Sequence, residues 1–386
     1  MSTPLGSLRA VVDVKTGVRN PTVAPAESFT YVDVAAVNNE TKSITGARSL
    51  LGAEAPSRAR KLIRANDVLV STVRPNLNAV AIVPPDLDGQ VASTGFCVLR
   101  AEEKLLPEYL FYFVQSRRFV DALSQLVAGA MYPAVTDGQV LDQTLPLRSL
   151  DEQRCVVDLL ARAEGIVRLR REAKQKAAEL IPAIFIDMFG DSTSNPNSWP
   201  ISKFGDVGAL DRGKSRHRPR DAAALYGGPY PFIQTGDVAN SGGRIRRHTA
   251  TYSDFGLAQS KLWRAGTLCI TIAANIAKTG VLEFDACFPD SVVGFVPGDR
   301  VRVGYVQAWL GFLQPTLEAN APQAAQKNIN LEILRALPIP VPPIDQQDAF
   351  VDRCERVLRI ERQQAAALAS SQAAFDALLA HAFSEN

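Results

Sequence analysis

Two stretches of the chain decide the fold: LPLRSLDEQRCVVDLLARAEGIVRLRR (residues 145–171) and IPVPPIDQQDAFVDRCERVLRIERQQ (residues 339–364). They align without a gap, so that Asp151 matches Asp345 and Gln153 matches Gln347, an offset of 194 residues (345 − 151). This period is far longer than the roughly 20–50 residues of a solenoid repeat. The pattern therefore indicates that a whole domain and the helix following it have been duplicated.

Both copies are predicted to be long helices, because each follows a proline-bearing extended stretch and opens on an aspartate suited to an N-cap, Asp151 or Asp345. Pro182 should kink or end the first helix near Ile181. Apolar residues alternate at spacings of three and four, which predicts one stripe facing a partner helix. The residues predicted to pack there are Leu159, Ala163, Ile166, Ala173, Ala177, Leu180 and Ile184 in the first helix, and Val351, Cys354, Leu358, Ala365, Leu368, Phe375 and Leu379 in the second.

The strand-rich regions that precede the helices also correspond. KLIRANDVLVST (residues 61–72) resembles KLWRAGTLCITI (residues 261–272), and in both a basic segment and a turn lead into a β-rich apolar run. A Gly-, Ser-, Asn- and Pro-rich linker divides the halves. The sequence predicts an α+β chain with strand-rich domains at 1–149 and 199–343, helices at 150–190 and 344–386, and a linker at 191–198.

Composition and motifs argue against several functional classes. The 386 residues carry a formal net charge of +2, so any nucleic-acid-binding surface must be local. The five cysteines and three histidines are scattered, which predicts reduced thiols and no metal site. No apolar run approaches about 18 residues, so we expect an intracellular, cytoplasmic protein without a membrane segment. No phosphate-binding loop, dinucleotide fingerprint, nucleophile elbow or amino-methyltransferase tetrapeptide occurs, which predicts a non-catalytic chain that binds no cofactor.

A basic loop, DRGKSRHRPRD (residues 211–221), is the most informative local stretch. Cations alternate with other residues, and Gly213 and Pro219 prevent a helix, so several cations should reach one surface. Such cations suit phosphate contacts, and a guanidinium can bind guanine through two hydrogen bonds. A solvated surface loop is the alternative. The candidate DNA contacts are Arg212, Lys214, Ser215, Arg216, His217, Arg218 and Arg220.

Further candidates lie in other turns. Gln234, Thr235 and Asp237 could read adenine or cytosine, although Asp237 equally suits a turn that caps backbone amides. In the first half, the segment that matches the basic loop offers Arg19 and Asn20, and a Pro-restricted loop offers Arg74 and Asn76. The segment AAQKNIN (residues 324–330) adds Gln326, Lys327 and Asn328, just before the second long helix.

The order of these motifs resembles that of the specificity subunits of type I restriction–modification enzymes. The resemblance rests on LDEQ, QKNIN and LPIPVPPIDQQ and covers essentially the whole chain; the stretch from RGKSRHRP to PYPFIQTGDV also resembles one recurring type of target-recognition domain. It implies two target-recognition domains, each reading half of a bipartite double-stranded DNA target, separated by two long helices packed as an antiparallel coiled coil. The helices would set the spacer between the half-sites.

The resemblance also implies the partners. Two modification subunits would dock on the helices, carry S-adenosylmethionine and methylate adenine, and restriction subunits, where present, would cleave DNA with ATP and Mg²⁺. The first domain lacks a comparably basic glycine-rich loop, which is a departure from the family pattern. Two other readings stay open from the residues alone: a stand-alone DNA-binding specificity factor of another defence system, and a coiled-coil scaffold whose domains bind proteins. An enzyme would need motifs that the sequence lacks.

Overall fold

A computed structural model of the chain describes residues 4–129, 131–191, 195–273, 276–319 and 329–384. These residues form two compact units, the first built from residues 1–171 and 366–386 and the second from residues 172–365. Each of the two long helices therefore contributes one part to each unit. Among the described residues, no helix has the length and apolar character needed to cross a membrane.

The described residues of the first unit form a strand-rich domain with three short α-helices and parts of the two long ones. Its strands are β1 (Leu5–Ser7), β2 (Val12–Asp13), β3 (Ser28–Val32), β4 (Val37–Asn38), β5 (Ser43–Ile44), β6 (Arg48–Leu51), β7 (Ala59–Leu62), β8 (Val68–Ser71), β9 (Val80–Ile82), β10 (Val91–Ser93), β11 (Phe96–Ala101) and β12 (Thr144–Pro146). Its short helices are α1 (Pro107–Phe113), α2 (Arg117–Gln125) and α3 (Asp137–Leu141), and α4 (Leu150–Phe189) is the first long helix.

The second unit contains the remaining elements. Its strands are β13 (Ile201–Lys203), β14 (Gly208–Arg212), β15 (Tyr226–Phe232), β16 (Arg244–Ile245), β17 (Ala250–Tyr252), β18 (Leu262–Trp263), β19 (Leu268–Thr271), β20 (Thr279–Leu282), β21 (Ala286–Cys287), β22 (Val292–Pro297) and β23 (Pro338–Pro340). Its short helices are α5 (Thr235–Ala239), α6 (Asp254–Ala258), α7 (Val303–Ala319) and α8 (Leu331–Ala336), and α9 (Ile344–Ala382) is the second long helix.

The strand topology is repeated in the two units. The order β6-β3-β10-β7 corresponds to β17-β15-β21-β18, and in each sheet the central pair is parallel. The order β2-β11-β8-β9 corresponds to β14-β22-β19-β20, to which the second unit adds β16. Antiparallel pairs β1-β12 and β13-β23 complete the match. The duplication predicted from the sequence is confirmed at the level of strand pairing.

The equivalent turns before β8 and β19 show why the two sequences fold alike. Asn66 (φ 69°) and Gly266 (φ 88°) occupy the left-handed region at matching positions, which asparagine and glycine tolerate better than other residues. The strands that follow, Val68–Ser71 and Leu268–Thr271, are buried at every position. A local turn signal followed by a short apolar run therefore places the central strand of each domain.

The long helices pack against each other in opposite directions within each unit. In the first unit, Arg148 beside the start of α4 donates to the carbonyl of Ala382 at the end of α9 (3.0 Å). In the second unit, the ring of Phe189 at the end of α4 lies 5.4 Å from that of Phe350 near the start of α9. The predicted antiparallel pairing of the helices is confirmed within both units.

The contact stripe on α4 differs from the predicted one. Leu159, Ile166 and Leu180 are 51%, 52% and 41% exposed, so the prediction that they pack against the partner helix is wrong. Leu160 and Val167 are buried instead, in one core with the predicted residues Phe375 and Leu379 of α9. Ala177 is buried, as predicted. On α9, Val351, Cys354, Leu358 and Leu368 are half-buried, which agrees with the predicted stripe.

The predicted N-cap of α4 is also wrong, and of the kink or end predicted at Pro182, the end does not occur. Ser149, rather than Asp151, stands at the helix start, where its hydroxyl and amide both donate to Glu152 Oε2 (2.7 and 2.9 Å) in a capping-box arrangement. Asp151 lies in the first turn and pairs with Arg154. The helix also continues through Pro182 to Phe189, because Phe185 and Phe189 are buried on the following turns and hold them in place.

Candidate nucleic-acid interface

The basic loop of the second unit starts from two fixed backbone contacts. It leaves β14, and the amides of Gly213 and Lys214 donate to the carbonyls of Val292 (2.9 Å) and Phe288 (3.0 Å). A Cβ atom on Gly213 would lie 2.2 Å from the Phe288 carbonyl oxygen, so this close approach requires glycine. The loop is therefore attached to the sheet at its first residues.

The predicted cations of this loop divide into two groups. Arg212, Lys214 and Arg216 are exposed, and their side chains form no hydrogen bond or ion pair with any residue that the structure describes. Arg218 donates to the Ser215 carbonyl (2.8 Å), and Arg220 forms two hydrogen bonds with Asp290 (3.0 and 2.9 Å). The first three cations are thus available to a polyanion, whereas the last two already stabilise the loop.

Ser215 and His217 hold the loop from inside. The Ser215 side chain is buried, with its hydroxyl 3.5 Å from that of Tyr252, so the expectation of a surface contact by Ser215 is corrected. The backbone amide of His217 donates to Gln259 Oε1 (3.0 Å), and its ring meets Phe255 edge-on with centroids 5.2 Å apart. Alternation in the sequence therefore separates inward anchors from outward cations.

The turn after β15 forms one wall of an open cleft of about 640 Å³. Asp237 Oδ2 accepts the Gln234 amide (2.8 Å), and the carboxylate also accepts the Thr249 hydroxyl (3.2 Å), which confirms the turn interpretation for this aspartate. Gln234 is exposed and Thr235 is half-buried. A side-chain amide at a cleft edge retains both a donor and an acceptor for a base edge.

Arg247 lines the same cleft and was not singled out in the sequence. It is exposed, and its side chain has no hydrogen-bond or ion-pair partner among the described residues. Its neighbour Arg246 instead pairs with Glu283 (3.1 Å), and Arg244 pairs with Glu355. The basic run RIRRH (residues 244–248) suits phosphate contacts, but the sequence does not show which of its three arginines lacks an acidic partner.

The candidates near the start of the chain are engaged within their own domain. Arg19 donates to the Gly89 carbonyl (2.9 Å) and lies 4.0 Å from Glu27. Asn20 caps a short helical turn by accepting the amide (3.3 Å) and hydroxyl (2.9 Å) of Thr22. These side chains therefore hold the local structure, whereas Lys15 in the same segment is exposed and its side chain has no hydrogen-bond or ion-pair partner among the described residues.

Arg74 is the better candidate cation in the first unit. It has a left-handed backbone (φ 51°) beside Pro75, and its amide donates to the Pro133 carbonyl (2.8 Å). The side chains of Arg74 and Asn76 are exposed and have no hydrogen-bond partner in the described part of the chain. Both residues are therefore presented outward by a backbone fixed on both sides.

The predicted contacts Gln326, Lys327 and Asn328 lie outside the described residues. The two residues that follow them are held by hydrogen bonds. The Ile329 amide donates to the Ile272 carbonyl (3.0 Å), and the Asn330 side chain caps α8 by accepting the Ile333 amide (2.8 Å). Among the described residues, no group of three or more His, Cys, Asp or Glu side chains is arranged to hold a metal ion.

Comparisons with known proteins agree with this architecture. Residues 196–369 match the family described as "Type I restriction modification DNA specificity domain". A chain from a solved structure described as "Structural basis underlying complex assembly and conformational transition of the type I R-M system" is 30% identical, with 98% of this chain and 97% of that chain covered and a TM-score of 0.68.

Two further relatives bear the subunit's name. The HsdS subunit from Thermoanaerobacter tengcongensis is 31% identical over 98% of this chain and 96% of that chain, with a TM-score of 0.46. The HindI specificity subunit of Haemophilus influenzae is 26% identical over 139 residues, which span 35% of this chain and 30% of that protein.

The family match and the 30% identical chain define a DNA-specificity protein of restriction–modification systems. The chain belongs to the family of type I restriction enzyme specificity subunits, a non-catalytic family.

Proposed function

We propose that this chain is the DNA-recognition subunit of a type I restriction–modification complex that acts in the cytoplasm. Its two domains, residues 1–149 and 199–343, would each read one half of a bipartite duplex target. The observation that carries the proposal is the duplicated strand topology, with each copy attached to long antiparallel helices. Beside it stand outward cations that have no side-chain partner in the described part of the chain. Such cations give salt-dependent affinity for phosphates, and the base edges give sequence choice.

The reading surfaces are proposed residue by residue. Arg212, Lys214 and Arg216 contact phosphates or guanine edges in the second half, and Gln234 and Arg247 add contacts from the neighbouring cleft. Arg74 and Asn76 serve the first half. Arg218 and Arg220 shape their loop rather than contact DNA, because their guanidinium groups are already used.

The partner surface is proposed on the outer face of the long helices. Leu159, Ile166 and Leu169 are 51%, 52% and 60% exposed on α4, and Ile360 is 42% exposed on α9. Ile166 and Ile360 occupy equivalent positions of the repeat. Exposed apolar side chains along a helix are costly in water and suit a partner helix, so two modification subunits would dock here. Bound to S-adenosylmethionine, they would methylate adenine at N6, and restriction subunits with ATP and Mg²⁺ would add cleavage.

The experiment that tests this proposal is deletion of the gene for this chain, followed by single-molecule sequencing of host DNA for N6-methyladenine. We expect a bipartite methylated motif in the parent strain, loss of the motif on deletion and its return on complementation. Methylation that is unchanged in the deletion strain would exclude the guiding role. The target adenine must leave the base stack to be methylated, and the proposal places the pocket that would receive it in the modification subunit.

A further inference from the structure

Two glutamines of the repeat are fully buried at the starts of the long helices. Gln153, at 0% exposure, accepts the Leu106 amide with Oε1 (2.8 Å). Its Nε2 donates to the carbonyls of Lys104 (2.8 Å) and Arg148 (2.9 Å). The first two partners belong to the loop that enters α1, and the third follows β12. One side chain on α4 therefore fastens two other segments of the domain.

Gln347 makes the same three contacts in the second unit. It is also 0% exposed, and its Oε1 accepts the Arg302 amide (2.9 Å). Its Nε2 donates to the carbonyls of Arg300 (3.1 Å) and Pro342 (2.8 Å). Each partner is the repeat counterpart of the corresponding partner of Gln153, in the loop that enters α7 and in the stretch after β23.

A tyrosine beside each glutamine reinforces the attachment. The Tyr109 hydroxyl donates to the Pro146 carbonyl (2.8 Å), and the Tyr305 hydroxyl donates to the Pro340 carbonyl (2.7 Å). Both tyrosines are buried, and burial raises the pKa of each hydroxyl above its usual value, so both remain donors at neutral pH. We use the term helix joint for each of these pairs, Gln153 with Tyr109 and Gln347 with Tyr305.

The helix joints are rigid for a physical reason. A buried amide with three backbone partners has fixed donor and acceptor directions, and rotation of the domain about the helix would leave polar groups unpaired away from water. The reading loops of the two domains have diverged, whereas all three glutamine contacts and the tyrosine contact recur in both joints. What the duplication has kept unchanged is the way each domain sits on its helix.

We propose that Gln153 and Gln347 are positioning residues that fix the tilt of each domain on its helix and thereby set the spacer length between the two half-sites. This inference rests on the proposed function. A domain of this size gives a lever of about 20 Å. A tilt of about 10° therefore moves its reading surface by roughly one base-pair step of 3.4 Å. Loss of the joint should relax the spacer without changing which bases are read.

The test uses the chain in complex with its modification subunits and Gln153→Leu, Gln347→Leu and Gln346→Leu variants. Gln346 is the matched control, because it is adjacent to Gln347 and its side chain forms no hydrogen bond with any described residue. Methylation rates are measured on duplexes with the native spacer and with spacers one base pair shorter and longer. For the two joint variants, we expect the preference for the native spacer to fall at least tenfold, with the half-site bases unchanged. The control should keep the wild-type preference.

A milder variant keeps the test decisive if a leucine variant does not fold. Tyr305→Phe removes one hydrogen bond of the second joint and should reduce the spacer preference about threefold. Folded joint variants that keep the wild-type preference within twofold would overturn the positioning role. Loss of methylation at every spacer in equal proportion would do the same, because it indicates a purely structural residue. Failure of the wild-type complex to methylate any bipartite site would instead count against the proposed function itself.

Discussion

The two strand-rich domains share one topology but present different polar surfaces. In the second domain, Arg212, Lys214 and Arg216 extend outward from a loop that is anchored at its start. In the first, Arg19 at the corresponding place is bonded to the Gly89 carbonyl, and the outward cations include Lys15 in the same segment and Arg74 on another loop. Strand pairing and attachment to the helices have therefore survived duplication, whereas the loops are free to take new sequences and new targets.

The largest effect is expected from removing the three outward cations of the basic loop in the second domain. Substituting Arg212, Lys214 and Arg216 together by alanine should weaken binding to the target duplex on the order of 100-fold at 0.1 M salt. The slope of log K against log salt should become shallower by about 3, since each lost phosphate contact removes about 0.9. Titration of the intact complex at several salt concentrations measures both. Arg162→Ala, on an exposed helix cation paired with Asp158, is the control. An unchanged slope would contradict the assignment of this loop.

The same comparison predicts a split between two arginines of the first domain. Arg74→Ala should weaken DNA binding roughly five- to tenfold and reduce the salt slope by about 1, because its side chain is exposed and has no partner among the described residues. Arg19→Ala should leave the salt slope unchanged and lower the melting temperature, because it removes a hydrogen bond to the Gly89 carbonyl. The reverse pattern would mean that both domains read DNA with the same loop after all.

Neighbouring leucines on α4 offer a sharper contrast in stability. Leu160 is fully buried, so Leu160→Ala should lower the free energy of unfolding by about 2–5 kcal/mol. Leu159 is 51% exposed, and Leu159→Ala should change the free energy of unfolding by no more than about 0.5 kcal/mol. Urea unfolding of the isolated chain, or thermal melting if the urea unfolding is irreversible, measures both variants.

Exposed apolar residues on α4 should matter for docking instead. Leu159→Asp combined with Ile166→Asp should release the modification subunits in co-purification. An undiminished yield of complex would argue against this docking face.

The smallest effect is expected at the helix start. Hydrogen bonds from the hydroxyl and amide of Ser149 lower the pKa of Glu152 below its usual value. A carboxylate whose folded pKa lies below its unfolded pKa stabilises the fold above the unfolded value, and that stabilisation disappears as the pH falls through the folded value. Glu152→Gln should thus melt slightly below wild type at pH 7 and equally with it near pH 3. A difference that persists at pH 3 would show that charge is not the cause.

The sequence predicted the fold more completely than the site. The gapless repeat and the apolar spacing determined the helices and the duplicated domains, because these are local or periodic signals. The contact stripe on α4 was predicted one position away from the buried one. Leu159 and Leu160 are adjacent apolar residues about 100° apart around the helix, and so are Ile166 and Val167, so that only tertiary packing decides which of each pair is buried. Which cations are free could not be predicted either, since the partners of Arg19 and Arg220 lie 70 residues away in the chain.

The most direct test of the central claim is to exchange residues 199–343 for the corresponding domain of a related specificity subunit and to sequence the methylated DNA of the host. We expect the half-site read by the second domain to change, while the other half-site and the spacer length stay the same. Methylation of the original motif by the exchanged chain, or a change in both half-sites at once, would contradict the assignment of one domain to each half of the target.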